Sequence, residues 1–272
     1  MHINHPFQHE SAWQQLKQGI VTLGQQEVLA RFEKVGYETK DDGSLLTEAD
    51  MQMQIHTAAF LEQHWPQFAF LGEESSTEEQ EAAMNSEAGC WILDPVDGTS
   101  NFASGIPFYA VSLALMIQGK LVAGLVYDPS RNELFAARLG QGAELNSKPL
   151  KAHTTKTLLK QCSGIIDFKR LKAPLAANLA THSPYSSQRS FGSVALDWCW
   201  IAAGRGQLYL HGAQNIWDYA AGWLILHEAG GQSSTLDGEV VVTPQVVKRS
   251  AVAATTPELF AQWIAHIEQA SM

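Results

Sequence analysis

The sequence predicts an α/β (α+β) protein with an antiparallel meander in its first half and alternating strands and helices in its second half. Two patterns carry this prediction. Between Pro107 and Leu139, long apolar runs are separated by tight turns at "QGK" and "DPSRN", which is typical of antiparallel strands. In the second half, short apolar runs alternate with helical stretches, which indicates strand and helix units that follow one another along the chain.

Two helices are predicted before the meander. Residues 11 to 35 carry apolar side chains at helical spacing, which predicts one long amphipathic helix. We expect Gly36 and the polar loop "ETKDDGS" to end it. Thr47 with Asp50 three residues later resembles a capping box and predicts a second helix that continues to about His64.

Two strands are predicted between that helix and the meander. They are "FAFLGEE" at residues 68 to 74 and "CWILD" at residues 90 to 94. We expect the second strand to end at Leu93, because Pro95 has no N–H to donate and stops the strand from pairing onward. The carbonyl of Val96 would then be free to point into a site.

The second half predicts strands and helices in turn. A strand "SGII" precedes a helical stretch from about Phe168, and a helix closes the chain. The intervening segments are "GSVALDWCWIAAGRG", "QLYLH" and "WDYAAGWLILHEAGG", and the last helix is "TPELFAQWIAHIEQA".

Composition excludes some classes of partner and compartment. The formal net charge of -10 argues against nucleic-acid binding, which needs clustered Lys and Arg. The longest nearly apolar stretch, Tyr109 to Ile117, is far shorter than the ~20 residues of a membrane span. The first residues have no basic and apolar segments of a secretory signal, and three widely spaced cysteines favour reduced thiols, so we expect a cytoplasmic protein.

Acidic residues follow or precede apolar segments at several points. The segments are "GEES" (Glu73, Glu74), "DPVDGT" (Asp94, Asp97) and "WD" (Asp218). If they converge, two carboxylates about 4 Å apart repel by roughly 4 kcal/mol at an effective dielectric near 20. Such a cluster needs cations or raised pKa values, and oxygen-only ligands favour Mg²⁺ or Mn²⁺ over zinc.

Each of these segments also has a purely structural interpretation. "DPVDG" is a good turn sequence, and "WD" before a helix is typical of a cap. The spacing of Asp94 and Asp97 does not fit the two-apart acids of haloacid-dehalogenase-type phosphatases, and an EF-hand would need regularly alternating acids. The functional interpretation depends on the joint occurrence of all the segments in one order.

That joint occurrence resembles the inositol monophosphatase family of Mg²⁺-dependent, lithium-sensitive phosphatases. The matching segments are "LLTEAD" (45 to 50), "FLGEES" (70 to 75), "WILDPVDGTSNF" (91 to 102) and "WDYAAGWLILHEAGG" (217 to 231). The resemblance implies a layered α-β-α-β-α sandwich. It also implies two or three Mg²⁺ ions, with Mn²⁺ as a possible substitute, and a homodimer.

The resemblance assigns roles to residues of this chain. The implied metal ligands are Glu73, Asp94, Asp97, Asp218 and the Val96 carbonyl. Thr99, hydrogen-bonded toward Asp50, would activate the attacking water with the assistance of Glu74, and Gly98 with Thr99 would hold the phosphate. Residues 1–145 would form the metal- and phosphate-binding half, and residues 146–272 would complete the active site within one compact body.

The substrate is open at this point. The substrate-binding positions implied by the resemblance are Gly192, Ser193, Val194 and His211. Inositol monophosphate is the substrate that the resemblance implies first, although His211 stands where inositol phosphatases of the family usually have a glutamate. The segment "QNIWDYAAG" resembles that of 3'(2'),5'-bisphosphate nucleotidases, so a 3'(2'),5'-bisphosphate nucleotide is the alternative. His211 could instead be a structural histidine. A regulatory binding protein on a phosphatase scaffold is the alternative from another class.

Overall fold

The structure is a computed structural model, and it describes residues 3–32, 34, 36–39 and 45–271. Its α-helices are α1 (Glu10–Leu23), α2 (Glu48–His64), α3 (Thr77–Met84), α4 (Thr99–Ala103), α5 (Ala173–Thr181), α6 (Val194–Ala202), α7 (Ile216–Ala229) and α8 (Pro257–Ser271). No helix within these ranges is long and apolar enough to cross a membrane.

The described strands form three sheets. In chain order they are β1 (Tyr37–Thr39), β2 (Leu45–Thr47), β3 (Ala69–Gly72), β4 (Cys90–Asp97), β5 (Ala110–Ile117), β6 (Lys120–Asp128), β7 (Glu133–Arg138), β8 (Ala143–Leu145), β9 (Lys148–Leu150), β10 (Ser163–Asp167), β11 (Ser187–Arg189), β12 (Leu208–Gln214), β13 (Gln232–Ser234) and β14 (Arg249–Ala254).

The large sheet has seven strands in sequence order, from β3 to β9. Only β3 and β4 pair in parallel, and every later neighbour is antiparallel, which confirms the predicted meander. The second sheet has the order β11-β10-β12-β14-β13, with β10 parallel to both of its neighbours. A small hairpin of β1 and β2 forms the third sheet.

Three hydrophobic clusters stack these sheets and the helices into five layers. One cluster joins α1 and α2 to one face of the seven-stranded sheet. A second joins the opposite face of that sheet to α6 and α7, and these helices to the five-stranded sheet. The third joins the outer face of the five-stranded sheet to α5 and α8. Because both sheets alternate their buried side chains between two faces, the layered α-β-α-β-α sandwich is confirmed.

The boundary that was predicted at residue 145 between the two halves of the chain falls inside the β8-β9 hairpin. Leu145 pairs with Lys148, so β9 completes the seven-stranded sheet from beyond that boundary. The division into residues 1–145 and 146–272 stays a prediction.

The first predicted helix is less regular than expected. It is an α-helix only to Leu23, then a π-helical turn over Gly24–Val28 and a 3₁₀ turn over Leu29–Arg31. The wider turn places Glu27 within 2.9 Å of His56 while Val28 remains in the core. The first two residues of the predicted loop "ETKDDGS" belong instead to β1, and its remaining residues, 40–44, lie outside the described residues.

The predicted end of the "CWILD" strand at Leu93 was wrong. β4 continues to Asp97, which pairs with Ala110 of β5. The pairing is irregular between Asp94 and Asp97, and Pro95 lies within this bulge because it has no N–H to pair. The extra residues let both aspartates stay on the strand while their side chains approach the site.

The bulge and the start of α7 are held together by the next strand. Ser112, which pairs with Asp94 in the β4-β5 ladder, donates its hydroxyl to the carbonyl of Trp217 at 3.0 Å. This bond fixes the first turn of α7, and therefore Asp218, beside the end of β4. The described cysteines, at positions 90, 162 and 199, are free and buried.

Candidate active site

One cavity of about 690 Å³ lies where β3 and β4 end and α4, α6 and α7 begin. Every site residue predicted from the sequence lines it, with the exception of Asp50. These lining residues are Glu73, Glu74, Asp94, Val96, Asp97, Gly98, Thr99, Gly192, Ser193, Val194, His211 and Asp218. These five strand and helix ends bring together side chains that are far apart in the chain.

Five carboxylates form what we call the acidic wall of this cavity: Glu73, Glu74, Asp94, Asp97 and Asp218. Carboxylate oxygens of Asp94, Asp97 and Asp218 all lie within 4.8 Å of one another. Asp94 and Asp97 are 2% and 7% exposed, so water screens their repulsion weakly. The arrangement suits a hard divalent cation, which takes oxygen ligands.

The three clustered aspartates share one bonding pattern. Each uses one carboxylate oxygen to accept a bond from nearby backbone. The bonds are Asp94 Oδ1 from Val96 N–H (3.0 Å), Asp97 Oδ2 from Ala195 N–H (2.7 Å) and Asp218 Oδ2 from Asn215 N–H (2.8 Å). Within the described part of the chain, the other oxygen of each accepts no hydrogen bond. A capping role and a ligand role are therefore compatible, because the two oxygens of one carboxylate serve different partners.

Burial and mutual repulsion raise the pKa of these aspartates. Burial raises the pKa of Asp94 well above its ordinary value, and the charges of Glu73, Asp97 and Asp218 add to it. Burial raises the pKa of Asp97 to about 6, although hydrogen bonds from Ser193 and the start of α6 oppose the change. Burial also raises the pKa of Asp218, and the charges of Asp97 and Glu73 raise it further. None of these three carboxylates forms an ion pair with a basic side chain in the described part of the chain, although the charge of Arg170 partly opposes the raised pKa of Asp218.

Thr99 connects the cavity to Asp50. Its hydroxyl lies 3.0 Å from the Val96 carbonyl oxygen and 3.4 Å from Asp50 Oδ1. Asp50 is fully buried and its other oxygen closes the predicted capping box with Thr47. The sequence led us to expect a free Val96 carbonyl. Instead, this carbonyl accepts a hydrogen bond from the Thr99 hydroxyl. One of its two lone pairs remains.

Gly98 and Gly192 allow two loops to meet at the cavity. Both have left-handed backbone, with φ of 95° and 84°. A Cβ on Gly98 would lie 3.0 Å from the carbonyl oxygen of Phe108 and 3.2 Å from that of Gly192. Asn101, which we did not predict, donates to the carbonyls of Phe108 at 2.8 Å and Phe191 at 2.7 Å. It fastens the loop before α6 to the segment that follows β4.

The predicted substrate-binding residues divide into two groups. Gly192 and Val194 face the cavity, whereas the Ser193 hydroxyl donates to Asp97 and accepts from the Leu196 N–H. Both nitrogens of His211 are also occupied: Nε2 lies 3.0 Å from Asp167 Oδ2, and Nδ1 accepts from the Ala213 N–H. His211 is 2% exposed, as a satisfied structural histidine would be. Its role toward substrate stays a prediction.

Asp167 and Asp197 line the cavity but were not predicted. Asp167 accepts from His211 and Arg170, and these bonds lower its pKa to about 2 despite burial, which alone would raise it. Asp197 is 6% exposed, and its Oδ1 has no partner among the described residues. Burial first, and then the charges of Asp97 and Asp167, raise the pKa of Asp197 well above its ordinary value.

A sequence signal for Asp167 existed. It ends β10, directly opposite His211 on the parallel strand β12, and ends of neighbouring parallel strands meet at one edge of a sheet. No comparable signal marked Lys169, Arg170 and Lys248, which also line the cavity and which we call the basic rim. They lie in a short 3₁₀ turn after β10 and in the loop before β14.

Comparison with known proteins agrees with this geometry. The family model described as the inositol monophosphatase family matches residues 7–272. Inositol monophosphatase 1 of Solanum lycopersicum is 38% identical over 228 residues, which cover 81% of each chain. Nus factor SuhB of Pasteurella multocida is 32% identical over 238 residues, which cover 78% of this chain and 86% of that protein.

A solved structure of an IMPase/NADP phosphatase, complexed with Mg²⁺ and phosphate, has the same fold. The TM-score is 0.78 at 25% sequence identity, and the match covers 92% of this chain and 94% of that one. The family model spans nearly the whole chain, and the acidic wall stands where the predicted motifs converge. The protein therefore belongs to the inositol monophosphatase family and is a phosphoric monoester hydrolase.

Proposed function

We propose that the protein is a Mg²⁺-dependent phosphomonoesterase that hydrolyses a small phosphorylated metabolite with a water nucleophile. The observation that carries the proposal is the bonding pattern of Asp94, Asp97 and Asp218. Each has one oxygen fixed by backbone and the other without a bond in the described chain, beside a single cavity. Such fixed and unneutralised carboxylates are what a cation site requires.

The oxygen donors of the acidic wall fit Mg²⁺. Glu73, Asp94, Asp97, Asp218 and the remaining lone pair of the Val96 carbonyl would hold two or three ions, and Mn²⁺ could substitute. The bound cations would lower the pKa of water and neutralise charge that develops on the phosphoryl and leaving oxygens. The absence of any Cys or His from the cluster of three aspartates supports this choice of metal over zinc.

The side chains around Thr99 would orient the nucleophile. If its hydroxyl donates to Val96 or Asp50, its lone pairs can accept a hydrogen bond from the attacking water. The water proton would pass toward the Thr99–Asp50 pair, with Glu74 assisting from the acidic wall. The backbone N–H groups of Gly98 and Thr99 would hold the phosphate. No covalent intermediate with the enzyme is required.

Inositol monophosphate is the first substrate to test, because relatives such as the Solanum lycopersicum protein are named for it. A 3'(2'),5'-bisphosphate nucleotide is the second, and the positive charge of the basic rim favours it. A protein-binding role is the candidate of another class, since one relative is named a Nus factor. We also propose that the protein is a lithium-sensitive, cytoplasmic homodimer.

Phosphate release tests the proposal. The panel is inositol 1-phosphate, 3'-phosphoadenosine 5'-phosphate, fructose 1,6-bisphosphate and histidinol phosphate, each with Mg²⁺ and with EDTA. We expect Mg²⁺-dependent release from at least one substrate and none in EDTA. Release that persists in EDTA, or no release by folded protein that binds Mg²⁺, would contradict the proposal. Retained partner binding by an inactive Asp218→Asn variant would identify a separate protein-binding role.

A further inference from the structure

The basic rim is an unusual feature of an acidic protein. The chain has 18 Lys and Arg residues against 28 Asp and Glu residues, yet Lys169, Arg170 and Lys248 all line the cavity of the acidic wall. They come from two segments, one after β10 and one before β14, so the sandwich rather than a local run of charge brings them together. All three side chains are exposed and accessible to a ligand.

Ion pairs with local acids neutralise only Arg170 of the basic rim among the described residues. Among the described residues, Asp167 is the carboxylate bonded to it: Asp167 accepts from Arg170 at 3.1 Å, from His211 at 3.0 Å and from the backbone N–H of Lys169 at 2.9 Å. Because the Ala213 N–H donates to Nδ1 of His211, the imidazole proton lies on Nε2 and is donated to Asp167. The ammonium groups of Lys169 and Lys248 form no ion pair with any described residue.

The basic rim and the acidic wall interact electrostatically. The positive charge of Arg170 lowers the pKa of Asp218, against the larger effects that raise it. Because both sets of side chains line one cavity, a ligand whose reacting phosphate lies at the acidic wall can reach the rim with the rest of its structure. A cavity of about 690 Å³ has room for such a remainder, since small-molecule sites commonly occupy about 300–1,000 Å³.

We propose that the basic rim binds a second anionic group of the substrate, so that preferred substrates are phosphate esters with a further phosphate or carboxylate. This inference rests on the proposed phosphatase function. Lys169 and Lys248 supply unpaired positive charge, and Arg170 adds a planar donor group that suits phosphate and carboxylate oxygens. A simple phosphomonoester would be hydrolysed but would leave the rim unused.

Matched substrate pairs test this proposal by kinetics with Mg²⁺. Fructose 1,6-bisphosphate is compared with fructose 1-phosphate, and 3-phosphoglycerate with glycerol 3-phosphate, so one pair adds a phosphate and the other exchanges a hydroxymethyl group for a carboxylate. We expect kcat/KM to favour the member with two anionic groups in at least one pair by about tenfold at low ionic strength, and by less in high salt. The pair that shows the preference identifies the second anion.

The variant Lys169→Ala/Lys248→Ala should abolish the preference, because kcat/KM should fall for the ester with two anionic groups and change by less than about twofold for the ester with one. Lys151→Ala, an exposed lysine outside the cavity, is the matched control and should retain the preference. No preference in the wild type, or an equal loss of kcat/KM for both members of a pair in the double variant, would overturn the proposal. The second result would mean that the lysines act on the reacting phosphate.

Calorimetric titration separates this inference from the proposed function. With Ca²⁺ in place of Mg²⁺, the wild type should bind fructose 1,6-bisphosphate about tenfold more tightly than fructose 1-phosphate, and the double variant should bind both alike. If this difference in affinity is present while no ester is hydrolysed, the basic rim is an anion site and the proposed phosphatase function fails. If esters are hydrolysed without any difference in binding or kcat/KM, the rim is not an anion site.

Discussion

The acidic wall and the basic rim face one cavity but are built in different ways. Each clustered aspartate of the wall is fixed by a backbone bond at a strand bulge or helix start, and Asp94 and Asp97 are buried. The lysines of the rim are exposed and form no ion pair in the described chain. Rigid, dry groups suit a site that must hold charge in one geometry, whereas solvated groups suit recognition of a variable remainder.

This difference predicts that substitutions in the acidic wall abolish turnover and that substitutions in the basic rim change only the selectivity between substrates. The largest effect is expected for Asp94→Asn, which keeps the bond from the Val96 N–H but removes a charge from the proposed cation site. We expect kcat to fall by about a thousandfold or more, because charge stabilisation in the transition state is lost. Steady-state phosphate release measures it, with exposed Asp237→Asn as the control.

Activity of Asp94→Asn within about tenfold of the wild type would remove Asp94 from the set of metal ligands. Circular dichroism and thermal melting of the variant establish that it is folded. A similar loss in Asp237→Asn would show that the assay reports stability and not the site.

A smaller effect is expected for Thr99→Ala, because the role proposed for the Thr99 side chain is to orient the water nucleophile and not to hold the cation. Removal of its hydroxyl breaks the contacts with Val96 and Asp50, and kcat should fall by about a hundredfold with little change in KM. Thr99→Ser retains the hydroxyl and should recover most of the rate. Equal losses in both variants would point to packing of the Thr99 methyl group instead.

The substitution Gly212→Ala should disturb the basic rim and leave the acidic wall intact. A Cβ on Gly212 of β12 would lie 1.7 Å from the Arg170 carbonyl oxygen, so Gly212→Ala must displace the segment that carries Lys169 and Arg170. We expect a loss of about 1–3 kcal/mol in the free energy of unfolding. The increase in melting temperature caused by Mg²⁺ should remain, because the wall is intact.

Gly36→Ala is the matched control for this substitution, since a Cβ there meets no described atom within 4 Å. It should change the free energy of unfolding by less than about 1 kcal/mol. A Gly212→Ala protein as stable as the wild type would show that the Arg170 segment is loosely held.

The smallest expected effect concerns pH. The fold raises the pKa of Asp97 from its ordinary 3.8 to about 6, so the folded protein binds this proton more tightly than the unfolded chain. That contribution to stability is complete below about pH 3.8 and is lost as the pH rises through about 6. In EDTA, Asp97→Asn should therefore raise the melting temperature by roughly 2–4 °C at pH 7.5 and by less at pH 5.

Thermal melting of wild type and Asp97→Asn at both pH values measures this difference. Mg²⁺ should reverse it, because the wild-type carboxylate then gains a cation that the amide cannot bind as well. A variant that is less stable than the wild type in EDTA at pH 7.5 would show that Asp97 is already neutralised in the fold.

The acidic wall could be predicted because its signals are local. A cap at Thr47, a glycine with left-handed backbone at position 98 and acids beside apolar runs depend on short-range sterics and hydrogen bonding. The bulge in β4 was missed because a proline after an apolar run equally predicts a strand end. The pairing of Asp97 with Ala110, which decides between the two, requires the neighbouring strand.

The basic rim and Asp197 could not be predicted, because a Lys-Arg pair and a helix-start acid have no distinctive local pattern. Lys169 and Lys248 are 79 positions apart, from 248 − 169, and only the order of strands in the five-stranded sheet brings their segments to one cavity. His211 shows the same limit. Its partners, Asp167 and the Ala213 N–H, decide that both ring nitrogens are occupied.

By itself the sequence determined the fold class, the acidic segments that could form a cation site and the chemistry that their oxygens allow, because periodicity, caps and side-chain type are properties of short segments. Only the tertiary structure decided which carboxylate oxygens are bonded to backbone and which basic side chains line the cavity. It also decided how burial raises the pKa of the buried acids. These depend on distances between segments remote in the chain, and Coulomb and desolvation energies follow distance and burial rather than sequence order.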